Sequence, residues 1–274
     1  MMERCVQKKV GILGCGAIGT ETAKALCSEF KEKAVLHAIC DTDSTAVRLF
    51  YDNIGRKIQV LEIDELCKQV DMVVEAASSD IVPELIRLAE KHSADVLVMS
   101  VGGLLGEEEH IANLKRKGLH LYIPSGAVSG LDALKAGMMG QVDVVQLTTK
   151  KPVEGLRGAP YLEENGIDLD SIMDQQVIFE GNACEAIRAF PKNINVAATV
   201  SLAGIGLDKT QVKVLVSPKF RRNSHELYVK GSFGTLRCIT ENVPSPSNPK
   251  TSYLAALSCM AILRKVLEGM EIGT

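Results

Sequence analysis

The chain has 274 residues, 46% of them hydrophobic and 24% charged, with 31 basic against 34 acidic side chains and a formal net charge of −3. That length accommodates two packed domains, and the near-balanced charge offers no surface for nucleic acid or another polyanion. No stretch approaches the ~20 uninterrupted apolar residues of a membrane helix and no signal-peptide pattern precedes the first apolar run, so the expectation is a cytoplasmic protein with neither membrane nor nucleic-acid partners.

The chain opens on Val10-Gly11-Ile12-Leu13-Gly14-Cys15-Gly16-Ala17-Ile18-Gly19, a short apolar run leading into a glycine turn. An amphipathic helix leaves it, with Ala23, Leu26, Cys27 and Phe30 at i, i+3, i+4, i+7. In such a strand–turn–helix, Gly14 turns the chain, Gly16 lets backbone N–H groups approach a pyrophosphate, and Gly19 lets the helix pack close to the strand. Ala17 and Ile18 begin the helix, whose positive end faces the diphosphate. A second strand, 34–40, ends at Asp41, placed to bond both hydroxyls of a ribose. NAD is therefore the expected cofactor. The acid's charge repels a 2′-phosphate, although Thr42 and Arg48 could soften the bias against NADP.

A helix over 44–52, a brief strand at 60–61 and a clear strand over 71–77 follow, and Pro83 sits in the first turn of the next helix. Two more apolar runs, 96–100 and 119–123, flank a charged helix over 107–117. Continuous apolar strands alternating with helices imply a parallel sheet covered on both faces, a doubly wound Rossmann domain over 1–127. Ligands bind such sheets beyond the carboxyl ends of the strands. The loops Ala76-Ala77-Ser78-Ser79, Ser100-Val101-Gly102-Gly103 and Pro124-Ser125-Gly126-Ala127 are small enough to admit a nicotinamide and its ribose, Ala77 among the contacts, or are simply loops.

Beyond Gly130 the alternation changes. A helix is expected over 131–139, a strand over 142–149, then the irregular, cation-rich segment 150–160. Lys150, Lys151 and Arg157 in it make either a carboxylate clamp or a solvated basic loop. A strand over 176–180 and a helix over 183–189 stopped by Pro191 lead to 193–204, small and apolar, headed by asparagines that could cap a helix or offer an amide to a cofactor. Strands over 211–217, 225–230 and 233–240 follow. His225 is the only histidine of this half; His37 and His120 fall in strands of the first half, and His92 and His110 on its helices. An imidazole titrates near neutral pH and moves protons both ways, but a histidine at a strand start is also an ordinary structural residue. The segment 244–249, with three prolines, reads as a stiff connector, and an apolar helix closes the chain, expected to pack back on the first domain. The domains so read are 1–127, 128–243 and 244–274. None of the eight cysteines forms C-x-x-C, so buried thiols are expected rather than disulfides or a metal site.

With the fingerprint, Pro124-Ser125-Gly126-Ala127, Asn195-Val196-Ala197-Ala198-Thr199 and Asn223-Ser224-His225-Glu226 in place, the chain resembles the L-aspartate dehydrogenase family from Lys9 to the last helix. The resemblance implies that Ala127 and Asn195 contact the nicotinamide cofactor and that His225 is the catalytic residue. It implies NAD(P)-dependent oxidation of L-aspartate to iminoaspartate, or onward to oxaloacetate and ammonia, feeding NAD biosynthesis. A homodimer is implied too, with a C-terminal α+β substrate domain of helices on an open mixed sheet. Two substrate carboxylates need cationic or N–H donors, for which Lys150, Lys151, Arg157 and Arg221 are the candidates. Dihydrodipicolinate reductase and homoserine dehydrogenase share the two-domain plan, but the former carries H-H-x-x-K and this chain has no adjacent histidines. A non-catalytic NAD sensor would keep Gly14 to Gly19 and have no need of His225.

Overall fold

The computed structural model describes residues 7–190, 195–246, 248–269 and 272–273. Pro191, Asn193 and Ile194, and Ser247 of the proline-rich segment, lie outside the described residues. Two compact units account for the rest: the described residues of Met1–Pro124 with Ala255–Met270, and those of Ser125–Leu254 with Glu271–Thr274.

The first unit runs β1 (Lys8–Leu13), α1 (Ala17–Cys27), β2 (Ala34–Cys40), α2 (Ser44–Ile54), β3 (Gln59–Val60), α3 (Ile63–Gln69), β4 (Met72–Glu75), α4 (Val82–His92), β5 (Asp95–Val98), α5 (Glu108–Arg116) and β6 (Leu121–Tyr122). Its strands lie in the order β3-β2-β1-β4-β5-β6 and every pairing is parallel. This is the dinucleotide-binding order, with its reversal beside β1. Val10, Ile12, Met72, Val74 and Leu97 have no exposed surface, as strands covered on both faces require. Local signals set the helix ends. Asp43 accepts from the Thr45 N–H at 2.8 Å to start α2, Gly55 ends it at φ 70°, and Pro83 occupies the first turn of α4.

The second unit runs α6 (Leu131–Gly137), β7 (Val142–Lys151), α7 (Pro160–Glu164), β8 (Gln176–Asn182), α8 (Ala183–Ala189), α9 (Asn195–Ala203), β9 (Gln211–Val216), β10 (Asn223–Gly231), β11 (Gly234–Asn242), β12 (Pro244–Ser245) and β13 (Asn248–Ser252). Five strands make a mixed sheet in the order β11-β10-β7-β9-β8, antiparallel except where β7 meets β9. Its inner face alternates along the strands, with Val145, Leu147, Val212, Val214, Leu227 and Val229 buried in one core with α6, α8 and α9. A reciprocal Asn182–Glu185 capping box starts α8 directly from the end of β8.

Three elements depart from the sequence expectation. The strand expected to end at 149 continues through Lys151, and the segment beyond it is not wholly irregular: a 3₁₀ turn over Val153–Gly155 precedes α7. The proline-rich connector is the start of a hairpin, in which Pro244 pairs with Ser252. Proline is tolerated there because a two-stranded ribbon leaves an edge on which its missing N–H is not needed. Helix α10 (Tyr253–Glu268) has its residues from Ala255 onward in the first unit, where Cys259 and Leu263 are buried in one core with Ala23, Leu26 and Phe30.

The division between the units falls at 124/125, a few residues before the expected 127/128, and 244–254 goes with the second unit. Side chains of β11 explain the first difference: Asn242 Nδ2 donates to the Ala127 carbonyl at 3.0 Å, and Ser129 bonds Thr240 Oγ1. Among the described residues no helix is long and apolar enough to cross a membrane.

Candidate active site

In the first unit the residues of the glycine fingerprint come together at the carboxyl end of β1. Gly14 has φ 102°, and a Cβ there would lie 2.6 Å from the Ala76 carbonyl. The turn therefore packs directly on the loop that follows β4, beside Ala77. A Cβ on Gly19 would fall 2.0 Å from the Gly14 carbonyl oxygen, so α1 sits as close to the turn as a bare backbone allows. Gly16 is different. It has ordinary dihedrals (φ −74°, ψ −164°) and nothing within 4 Å of its would-be Cβ, so its face of the turn is open. Two glycines shape the cradle and the third keeps it clear, the division of labour a pyrophosphate needs at a helix N-terminus.

Asp41 closes the cradle from the end of β2. Its Oδ2 accepts from the Cys15 N–H at 2.7 Å and its Oδ1 from the Asp43 N–H at 2.8 Å. Each oxygen keeps a lone pair for a further donor such as a ribose hydroxyl. The Cys15 thiol beside it is buried and pushed up to about 12 by that burial, with Asp41 and Cys40 adding to the effect, so it is a filler and not a nucleophile.

Glu75 is a residue the sequence reading passed over. It ends β4 with no exposed surface, and its carboxylate collects four donors: Ala77 N–H at 2.8 Å and Ser100 Oγ at 2.8 Å on Oε1, Met99 N–H at 3.0 Å and Ser100 N–H at 2.8 Å on Oε2. Burial pushes its carboxyl above the usual glutamate range, and the four donors oppose that shift. The group ties the loop after β4 to the loop after β5. Gly103 completes the joint, since a Cβ there would lie 2.2 Å from the Ser79 carbonyl oxygen. A carboxylate at the end of an otherwise apolar strand was the available signal.

In the second unit His225 lies on β10 with its Cα opposite Thr149 of β7. Both are buried, their side chains share the inner face, and Thr149 Oγ1 stands 3.1 Å from His225 Nδ1. Burial pushes the imidazole down to about 3, with the Lys151 ammonium adding to the shift, so the ring is neutral across the physiological range. Lys151 lies two residues along the same face, 7% exposed, and burial pushes its ammonium down to about 8. Thr149 and Lys151 line a pocket with Leu156, Phe190, Val196 and Ala197, the last two from the first turn of α9. Asn195 is the exposed first residue of that helix, and its carbonyl accepts from Thr199 Oγ1 at 2.8 Å. Ala127 is buried, its carbonyl held by Asn242.

The four candidate cations do not form one clamp. Lys150 and Lys151 are neighbours on β7, so their side chains leave opposite faces of the sheet, and only Lys151 is buried on the face of His225. Arg157 is already paired: its guanidinium donates to Glu154 at 2.9 Å and to Asp170 at 2.5 Å on an exposed surface, and those carboxylates compete with a substrate for it. Arg221 is exposed in the loop before β10. Among the described residues no cluster of His, Cys, Asp and Glu could hold a metal ion, and the seven described cysteines are free thiols.

Comparison with known proteins covers both units. Residues 132–266 match the family model described as aspartate dehydrogenase, C-terminal, and residues 14–124 match that of the homoserine dehydrogenase NAD-binding domain. The chain is 46% identical to an L-aspartate dehydrogenase of Methanocella arvoryzae over 97% of this chain and 99% of the relative. It is 38% identical to one of Bradyrhizobium diazoefficiens over 97% and 94%. Among solved structures, an aspartate dehydrogenase of Thermotoga maritima superposes with TM-score 0.75 at 25% identity, covering 98% of this chain and all of that one.

Proposed function

The chain belongs to the L-aspartate dehydrogenase family of NAD(P)-dependent oxidoreductases acting on CH–NH2 groups, and from that membership we propose that it oxidises L-aspartate to iminoaspartate with NAD. The observation that carries the proposal is the buried His225–Thr149–Lys151 cluster, lying in the unit matched by the aspartate dehydrogenase C-terminal model.

NAD, when bound, supplies the acceptor for the hydride that leaves the substrate Cα. The backbone of Gly14, Gly16 and Gly19, with the N–H groups of Ala17 and Ile18, is proposed to hold its pyrophosphate, and Asp41 its adenosine ribose. Ala77, Ala127 and Asn195 are the proposed contacts of the nicotinamide end. The open face of Gly16 and the free lone pairs of Asp41 support that fit.

The substrate ammonium has to lose a proton before its nitrogen lone pair can assist departure of the hydride. His225, neutral at rest, accepts that proton directly or through a water and releases it to solvent; the neutral ring then takes a proton from the water that attacks the imine carbon and passes it to the departing nitrogen. Attack by water leads on to oxaloacetate and ammonia. Released intact, iminoaspartate is a precursor for pyridine-nucleotide biosynthesis, the role we infer for the enzyme.

Lys151 is the cation we assign to a substrate carboxylate, because it is buried beside the proton acceptor where a charge-assisted hydrogen bond is strong. Replacing Lys151 by Met is expected to raise KM for aspartate by about 10- to 100-fold, the worth of one hydrogen bond to a charged group, and to leave the Kd of NAD unchanged. Steady-state kinetics with a separate NAD titration checks this, and an unchanged KM removes the assignment.

The activity is tested by mixing the protein with NAD and, in turn, L-aspartate, homoserine and malate, following NADH absorbance. Reduction with aspartate alone is expected. Preference for homoserine would favour the related reductase plan, and silence with all three despite tight NADH binding would favour a sensor. Homodimer assembly and use of NADP belong to the same proposal. Sedimentation checks the first. For the second, the kcat/KM ratio of the two cofactors is expected to favour NAD, and a clear preference for NADP would refute the ribose role of Asp41.

A further inference from the structure

We propose that Thr149 is a positioning residue for the proton-transfer step, its hydroxyl holding the His225 ring by Nδ1 so that Nε2 is the nitrogen that exchanges protons. This rests on the acid–base reading of His225 and adds to it which ring atom works and what selects it.

The geometry is fixed by strand register. Thr149 and His225 are directly opposed on antiparallel β7 and β10, both are buried on the inner face, and Oγ1 and Nδ1 are 3.1 Å apart. Thr149 is ordinary by strand propensity, since β-branched residues suit strands. Its hydroxyl is not ordinary, because the two preceding positions on that face of the strand, Leu147 and Val145, are apolar, and polar groups begin only at Thr149 and Lys151.

A threonine hydroxyl can donate or accept, and the two arrangements have different consequences. If Oγ1 donates to Nδ1, the bond breaks whenever the ring becomes a cation, because both nitrogens then carry protons. If Nδ1–H donates to Oγ1, the same bond persists in the neutral and the cationic ring. Only the second lets His225 take up and release a proton at Nε2 without losing its orientation, and it leaves the Nε2 lone pair available at rest. The charged group acting on the ring is Lys151 on β7, while β11 places Thr240 opposite His225 on the other side of β10. The Lys151 charge opposes a standing positive charge on the ring, which keeps that lone pair free.

Two substitutions separate positioning from packing. Thr149→Val keeps the volume and the branching and removes the hydroxyl, whereas Thr149→Ser keeps the hydroxyl. T149V is expected to lower kcat for aspartate by about tenfold, with little change in the Kd of NAD, and to shift the pH profile of kcat. T149S is expected to recover most of that loss. The ¹⁵N spectrum of wild-type His225 is expected to show the proton on Nδ1.

A T149V enzyme with wild-type kcat and pH profile, a T149S enzyme as impaired as T149V, or a wild-type ring protonated on Nε2 would each overturn the proposal. The spectrum decides the matter even if T149V fails to fold. Full activity in His225→Ala would instead remove the acid–base reading beneath it, so the two failures are told apart.

Discussion

Replacing His225 by Ala is expected to lower kcat for L-aspartate oxidation by about 10²-fold or more, the usual contribution of a positioned acid–base group. The Kd of NAD should be unchanged, because the residues proposed to hold its pyrophosphate and adenosine ribose are far from position 225 in the chain and belong to a different unit. Steady-state kinetics with a fluorescence titration of NADH measures both. The same imidazole leaves a mark on stability. A free histidine takes up its proton near pH 6.5, while the folded one, held down to about 3, does not. The unfolded chain therefore binds more protons between those values, and the native state loses stability as pH falls from 6.5 toward 3. A His225→Gln variant should show a flatter decline of Tm over that range. Wild-type turnover in His225→Ala would end the proposed role.

The fingerprint glycines give a second large effect, and it comes as a contrast. Gly16→Ala is expected to leave the stability of the fold within about 0.5 kcal/mol, since its dihedrals suit alanine and its Cβ would meet nothing within 4 Å. The same methyl stands where a pyrophosphate approaches the backbone, so NAD affinity should fall tenfold or more. At Gly19 the order reverses. A Cβ there meets the Gly14 carbonyl oxygen at 2.0 Å, a backbone atom that cannot swing aside. Gly19→Ala is therefore expected to cost about 2–4 kcal/mol of stability, and cofactor binding is lost with the turn. Thermal denaturation and NADH titration of both variants check the pair. Undiminished NAD binding by Gly16→Ala would contradict the cradle.

What could be read from the chain, and what could not, follows from the range of the signals. The turn at Gly14 to Gly19, the six-stranded parallel sheet and the helices capped at Asp43 and Asn182 rest on patterns a few residues long, and they are legible. Pairing across a sheet is not local. His225 was visible as the one histidine of its half, but its partner Thr149 depends on the register of β7 against β10. The same applies to Glu75, whose four donors come from two separate loops.

Two misreadings have identifiable causes. Ending the strand at 149 left Lys150 and Lys151 in a loop, where both could serve one ligand. Extended through Lys151, the period of two sends them to opposite faces. Of the two ion-pair partners of Arg157, Glu154 lies three positions earlier and within reach of a local pattern, whereas Asp170 is too distant in sequence to be seen. Three prolines in 244–249 suggested stiffness, which a two-stranded edge accommodates equally well.

The claim on which the rest depends is that the α-hydrogen of an amino dicarboxylate leaves as hydride to a bound nicotinamide. It is tested most directly by incubating the protein with NAD and L-aspartate deuterated at Cα and weighing the reduced cofactor. The account predicts reduced cofactor carrying one deuterium, with iminoaspartate or its hydrolysis products formed in equal amount. Reduced cofactor without the label, or bound NAD that stays oxidised in the presence of aspartate, would contradict it.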